Sequence, residues 1–74
     1  MDVKNDLLMK LGARVREIRV SKGFTQTELA HQLGKDQQSI QRLEAGKVNP
    51  SYIYLLSIAN GLEIPLSELI AELR

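Results

Sequence analysis

Seventy-four residues, 43% of them apolar, are enough for one small domain with a thin core and leave no room for a deep substrate pocket. The chain has no cysteine and one histidine, which excludes a disulfide framework and a thiolate metal site, implies no cofactor, and fits a reducing, cytoplasmic setting. A net charge of +1 argues only weakly for a polyanionic partner, although the basic excess is N-terminal and the acidic excess C-terminal.

The apolar periodicity is helical throughout. Leu7, Leu11, Val15 and Ile18 share one face and predict a helix from near Asn5 to near Lys22, slightly weakened by Gly12 and ended by Gly23 as a left-handed cap. Thr25-Gln26-Thr27-Glu28 reads as a capping box, in which hydroxyl and carboxylate satisfy each other's free backbone amides. Leu29, Ala30 and Leu33 give that second helix its inner face, and Gly34 closes it. Asp36 then caps a helix from Gln37 to Glu44, which Gly46 stops. Asn49-Pro50-Ser51 is a turn into a fourth helix, expected to bury Ile53, Leu55, Leu56, Ile58 and Ala59 and to end near Gly61. Pro65 opens a last helix to about residue 73, with Leu66, Leu69, Ile70 and Leu73 along one stripe and Ser67, Glu68 and Glu72 outside it. No strand-like alternation of useful length occurs, so the expected fold is an all-α bundle of about five short helices, one domain across residues 1–74.

The third helix carries the functional signal. At about 100° per residue, Gln37, Gln38, Gln41 and Arg42 fall on one flank and Ile40 and Leu43 on the other. Three carboxamides and a guanidinium match the donor and acceptor pairs on base edges in a DNA major groove. A helix, a tight turn through Gly34 and a second helix with a free polar face describe a helix-turn-helix at about residues 26–44. Ala30 is small where the two axes approach, and Ile40 and Leu43 clamp the reading helix to the body. Lys35, Lys47 and Asn49 lie in the flanking turns, where phosphate contact would set register.

The string Gly23-Phe24-Thr25-Gln26-Thr27-Glu28-Leu29-Ala30, followed by Leu33-Gly34, Ile40, Leu43-Glu44-Ala45-Gly46, Asn49-Pro50-Ser51 and Leu62-Glu63-Ile64, resembles the phage-repressor, Cro-like helix-turn-helix family, also called the XRE type. The resemblance covers roughly residues 9–72. It implies a five-helix domain, usually dimeric, that recognises an operator of two-fold symmetry on double-stranded DNA. By resemblance, Gln26 bonds a phosphate and braces the first recognition glutamine, Gln37 and Gln38 read bases, and Ser39 joins the phosphate contacts. Arg42 stands where the most similar lambdoid pattern has glutamine, and arginine prefers the paired acceptors of guanine, so the operator is expected to differ. Gln41 stands where that pattern has an acid and adds a base or phosphate contact. Arg19 and Glu44 occupy positions that form a partly buried structural ion pair in the family.

The apolar stripe of the last helix exceeds what seats it on a thin bundle, so Leu66, Leu69, Ile70 and Leu73 are expected to meet a second subunit. Tyr52 and Tyr54 are expected to pack on the core or that subunit, and His31 to be exposed. No serine sits in a nucleophile elbow and no acids are paired, so an enzyme is not expected. No segment is long and apolar enough to span a membrane, and the start lacks a secretion signal. The expected activity is that of a dimeric transcriptional repressor or autoregulator, of the kind found among restriction-modification controllers and antitoxins. With no small-molecule pocket expected, control would rest on subunit concentration or on a protein partner such as a toxin or RNA polymerase. The alternative is a protein-interaction module with weak DNA binding.

Overall fold

A computed structural model describes residues 2–73 and contains, in chain order, α1 Val3–Ser21, α2 Gln26–Gln32, α3 Gln37–Glu44, α4 Tyr52–Gly61 and α5 Leu66–Leu69. No strand occurs among the described residues, and the all-α expectation holds. Four of the five helix starts are sealed by a side chain. The Asp2 carboxylate accepts from the Lys4 amide at 3.0 Å, the Thr25 hydroxyl from Glu28 at 3.0 Å, the Asp36 carboxylate from Ser39 at 2.9 Å, and the Ser51 hydroxyl from Tyr54 at 3.0 Å. The capping box is complete, because Glu28 Oε1 also accepts from the Thr25 amide at 2.9 Å.

The core is contributed by every element: Leu11, Val15 and Ile18 from α1, Leu29 and Ala30 from α2, Ile40 and Leu43 from α3, Ile58 and Ala59 from α4, and Leu69 from α5, with Leu62 and Ile64 from the last loop. Ala30 is buried, as the close approach of α2 and α3 requires. The turn between them passes through Gly34 at φ +65°, where a side chain would be strained.

Gly12 has a different role from the one its sequence position implied. A Cβ placed there would lie 2.5 Å from the carbonyl oxygens of both Leu43 and Glu44, so α1 lets the end of α3 rest directly on its backbone. Helix propensity counts the glycine as a weakness; packing makes it the contact that sets the height of the recognition helix. Gly46 closes the same seam, since a Cβ there would meet Met9 Cα at 2.8 Å.

Two further expectations change. The fourth helix buries Ile58 and Ala59, but Ile53 and Leu56 face solvent, and Tyr52 is exposed beside them. The end of α4 at Gly61 is as expected, with Gly61 packed under Leu33 and Glu63 following in the left-handed region at φ 61°. The last helix is one turn, Leu66–Leu69, and the chain breaks away after Ile70 into turns, with Glu72 at φ 67°. A periodic stripe specifies which residues share a face if a helix forms, but four residues without a side-chain N-cap are too few to carry it to Leu73. Arg14 of α1 holds that turn from outside, donating from Nη2 to the Glu68 carbonyl at 2.9 Å.

Candidate nucleic-acid interface

α3 is held from below by Ile40 and Leu43, which are 0% and 1% exposed, and this orientation turns its other flank to solvent. Gln38, Gln41 and Arg42 are exposed there, and Gln37 at the helix start is half-buried. Gln38, Gln41 and Arg42 border one shallow depression together with Ala45 and Lys47. Lys47 and Asn49 extend the polar surface beyond the helix C-terminus, both exposed.

The half-burial of Gln37 has a cause in a network that crosses three helices. Arg19 at the end of α1 donates from Nε to Glu44 Oε2 at 2.6 Å and from Nη2 to Glu44 Oε1 at 3.1 Å, while its Nη1 donates to the Phe24 carbonyl at 2.7 Å. The two side chains are 9% and 4% exposed. The hydrogen bond to Glu44 raises the Arg19 pKa above its ordinary value, against the opposing effect of burial. Gln26 Nε2 donates to Glu44 Oε1 at 3.0 Å, and Gln37 Nε2 donates to Gln26 Oε1 at 2.7 Å. The Gln26–Glu44 bond was not foreseen from sequence. Its only signal there was that Gln26 and Glu44 begin and end the same two-helix motif.

Lys35, Ser39, Arg42, Val48 and Tyr54 line a second groove, which shares Arg42 with the first. Lys35 Nζ lies 5.2 Å from the centre of the Tyr54 ring, a cation–π distance that fixes the turn lysine beside the recognition helix. Burial pushes the Tyr54 phenol above its ordinary pKa. The Ser39 hydroxyl donates to Asp36 Oδ1 at 2.8 Å. Its single proton is therefore occupied by the helix cap in the free protein, which separates it from the other residues read as phosphate ligands.

The residues read as a subunit contact divide. Leu69 is 0% exposed and belongs wholly to the protomer's own core, so it is removed from that set. Leu66 and Leu73 are partly buried against the core, and Ile70 is 43% exposed. The larger unburied apolar surface lies on α4, where Ile53 at 69% and Leu56 at 37% border one shallow groove with Ile64 and Leu66. Sequence periodicity missed this because a helix of nearly continuous apolar residues does not reveal which side is covered. His31 is exposed. No group of metal-ligating side chains occurs among the described residues, and none of their helices is long and apolar enough to cross a membrane.

Residues 15–69 match the family described as HTH_3, Helix-turn-helix. The control protein C.MunI of a Mycoplasma species is 33% identical over 70 residues, covering 93% of this chain and 95% of that protein. An uncharacterized HTH-type transcriptional regulator of Sinorhizobium fredii, y4dJ, is 34% identical over 65 residues, covering 88% and 84%. Among solved structures, the restriction-modification controller protein C.AhdI from Aeromonas hydrophila superposes with a TM-score of 0.80 at 39% identity, covering 84% of this chain and 94% of that one. The clp gene regulator ClgR from Corynebacterium glutamicum superposes with a TM-score of 0.82 at 30% identity, covering 86% and 83%.

Proposed function

The chain belongs to the HTH_3 helix-turn-helix family and is a DNA-binding transcriptional regulator, and from that premise we propose that it acts as a homodimer on an inverted-repeat operator, as a repressor or autoregulator and without catalytic activity. The observation that carries this reading is the division of α3. Ile40 and Leu43 are consumed by the core, and the opposite flank presents Gln38, Gln41 and Arg42 beside a braced Gln37. Such a rod fits a major groove, where carboxamides pair with adenine and a guanidinium with guanine. Gln26, Lys35, Lys47 and Asn49 flank that edge as phosphate contacts, which fix register without carrying sequence information.

The dimer reading rests on the uncovered Ile53, Leu56 and Ile70, with Leu66 bordering the α4 groove. Two-fold pairing there would present two recognition helices about 34–36 Å apart, one turn of DNA. A net charge of +1 gives each protomer modest affinity for phosphate, which makes paired binding the effective form. Similarity to two controller proteins supports control through the protein's own concentration.

Selection of bound duplexes from a random pool tests the proposal. The expected product is an inverted repeat with half-site centres about 10–10.5 base pairs apart, or a multiple of that spacing. Recovery of no enriched sequence, together with affinity that does not fall between low and high salt, would remove both the operator and the groove-reading assignment.

A further inference from the structure

The network behind α3 has a direction, and that direction reaches the base-reading edge. Glu44 faces the Arg19 guanidinium at 2.6 Å and, as a carboxylate, can only accept hydrogen bonds. Whichever end of the Gln26 amide meets it must therefore be the NH2, as the 3.0 Å contact from Nε2 has it. The Gln26 carbonyl is then turned toward Gln37, which must answer as a donor, and does so from Nε2 at 2.7 Å. The polarity of each amide follows from the charge at the far end of the chain rather than from its own surroundings.

We propose that Glu44, acting through Gln26, is a positioning residue for base specificity: it holds the Gln37 amide in the one orientation that suits adenine and rejects guanine. This inference rests on the reading of Gln37 as a base contact. With one hydrogen committed to Gln26, Gln37 retains its carbonyl and one N–H. Adenine offers one donor at N6 and one acceptor at N7 and satisfies both. Guanine offers two acceptors, at N7 and O6. An unrestrained glutamine meets them by turning its NH2 toward the pair, but Gln37 has spent one hydrogen already and would set its carbonyl against O6. Gln26 keeps a second N–H, so it can still donate to a phosphate while it relays the polarity.

The test uses the duplex recovered from a random pool and its A-to-G counterpart at the base pair read by Gln37, with affinities measured for wild type, Gln37→Ala, Gln26→Met and the double variant Arg19→Met/Glu44→Gln. Wild type should prefer adenine by about fivefold or more, and Gln37→Ala should abolish the preference. Gln26→Met keeps the ion pair but cuts the relay, and should bring the A-to-G ratio near parity while leaving discrimination at the Arg42 base pair unchanged. Removal of a phosphate ligand weakens all sequences alike and cancels in the ratio. The double variant, whose residue 44 can turn either amide end to Gln26, should also lose the preference, and if it does not fold, Arg19→Met/Glu44→Leu, which offers Gln26 no acceptor, takes its place; a folded double variant that keeps the wild-type ratio removes Glu44 from the relay. An adenine preference that survives Gln26→Met but not Gln37→Ala overturns the relay and leaves base reading intact. A preference that survives Gln37→Ala overturns both.

Discussion

Arg19 and Glu44 lie 25 residues apart and meet through two hydrogen bonds, at 2.6 and 3.1 Å, with both side chains nearly closed to solvent. The pair joins the end of α1 to the end of α3, and therefore fixes the recognition helix to the body. Desolvation offsets much of the attraction in such a pair, but removing one partner leaves the other buried and uncompensated. Arg19→Met is expected to cost about 3–5 kcal/mol, a large share of the roughly 5–15 kcal/mol that holds a domain together. Arg19→Met/Glu44→Leu should recover part of that loss. Denaturant unfolding of the two variants measures it, and equal destabilisation would show that no uncompensated charge is involved.

Gly12 sets propensity and packing in opposition. Alanine in mid-helix should stabilise by about 1 kcal/mol if only α1 mattered. A methyl group would instead press on two carbonyl oxygens of α3 at 2.5 Å, and those backbone atoms have no rotamer by which to yield. Gly12→Ala is expected to lower stability by about 1–3 kcal/mol and to weaken DNA binding by displacing α3. A rise in melting temperature with unchanged binding would show that the seam relaxes.

Caps and faces were legible in the sequence where a local rule determined them. Thr25 with Glu28, and Asp36 ahead of Gln37, mark helix starts because the interaction closes within three residues. Ile40 and Leu43 marked the inner flank of α3 because one apolar side stands against one polar side. What remained hidden depended on distant partners. Nothing local to Gly12 announces the carbonyls of α3, and nothing in the apolar run of α4 shows that Ile53 stays uncovered while Ile58 is buried. The resemblance supplied a role for Gln26 at phosphate and beside Gln37. Only the coordinates add its bond to Glu44, which converts a brace into a connected path.

Base readers and phosphate ligands should separate in binding experiments. Arg42 is exposed on the open flank of α3, so Arg42→Ala should relax preference at one base pair per half-site, at a cost of about 1–3 kcal/mol. Lys47 lies beyond the helix end, and Lys47→Ala should weaken binding to all duplexes alike and reduce the magnitude of the salt slope by about 1 for each phosphate it no longer neutralises. Affinities for matched and singly mismatched duplexes at several salt concentrations distinguish the two. A uniform loss from both variants would contradict direct reading by Arg42.

Acid stability should depend on two helix caps. The Ser39 hydroxyl, and then the Ser39 amide, hold the Asp36 carboxyl below the ordinary aspartate value; the Thr25 amide, and then its hydroxyl, do the same for Glu28. A carboxyl with a depressed folded-state pKa binds fewer protons folded than unfolded. Its contribution is complete above the unfolded value and is lost as pH falls through the folded one. Stability should therefore begin to decline near about pH 4, and Asp36→Asn with Glu28→Gln should flatten that decline. Urea midpoints measured between neutral and strongly acidic pH give the comparison, and an unchanged slope would place the acid sensitivity elsewhere.

The subunit contact is tested best on α4, because Leu69, once part of the expected interface, is sealed in the core and any change there reports on folding first. Ile53 is 69% exposed, so an aspartate at that position disturbs little within the protomer. In a dimer formed across the groove of Ile53, Leu56 and Leu66, the same change would bury two unpaired carboxylates, one from each subunit. Ile53→Asp is expected to retain the wild-type helical content, to sediment as a monomer, and to lose at least about tenfold in affinity for the full inverted repeat. Its affinity for an isolated half-site should be nearly unchanged. A variant that still sediments as a dimer would move the interface away from α4, and a wild-type protein that is monomeric while bound to both half-sites would remove it altogether.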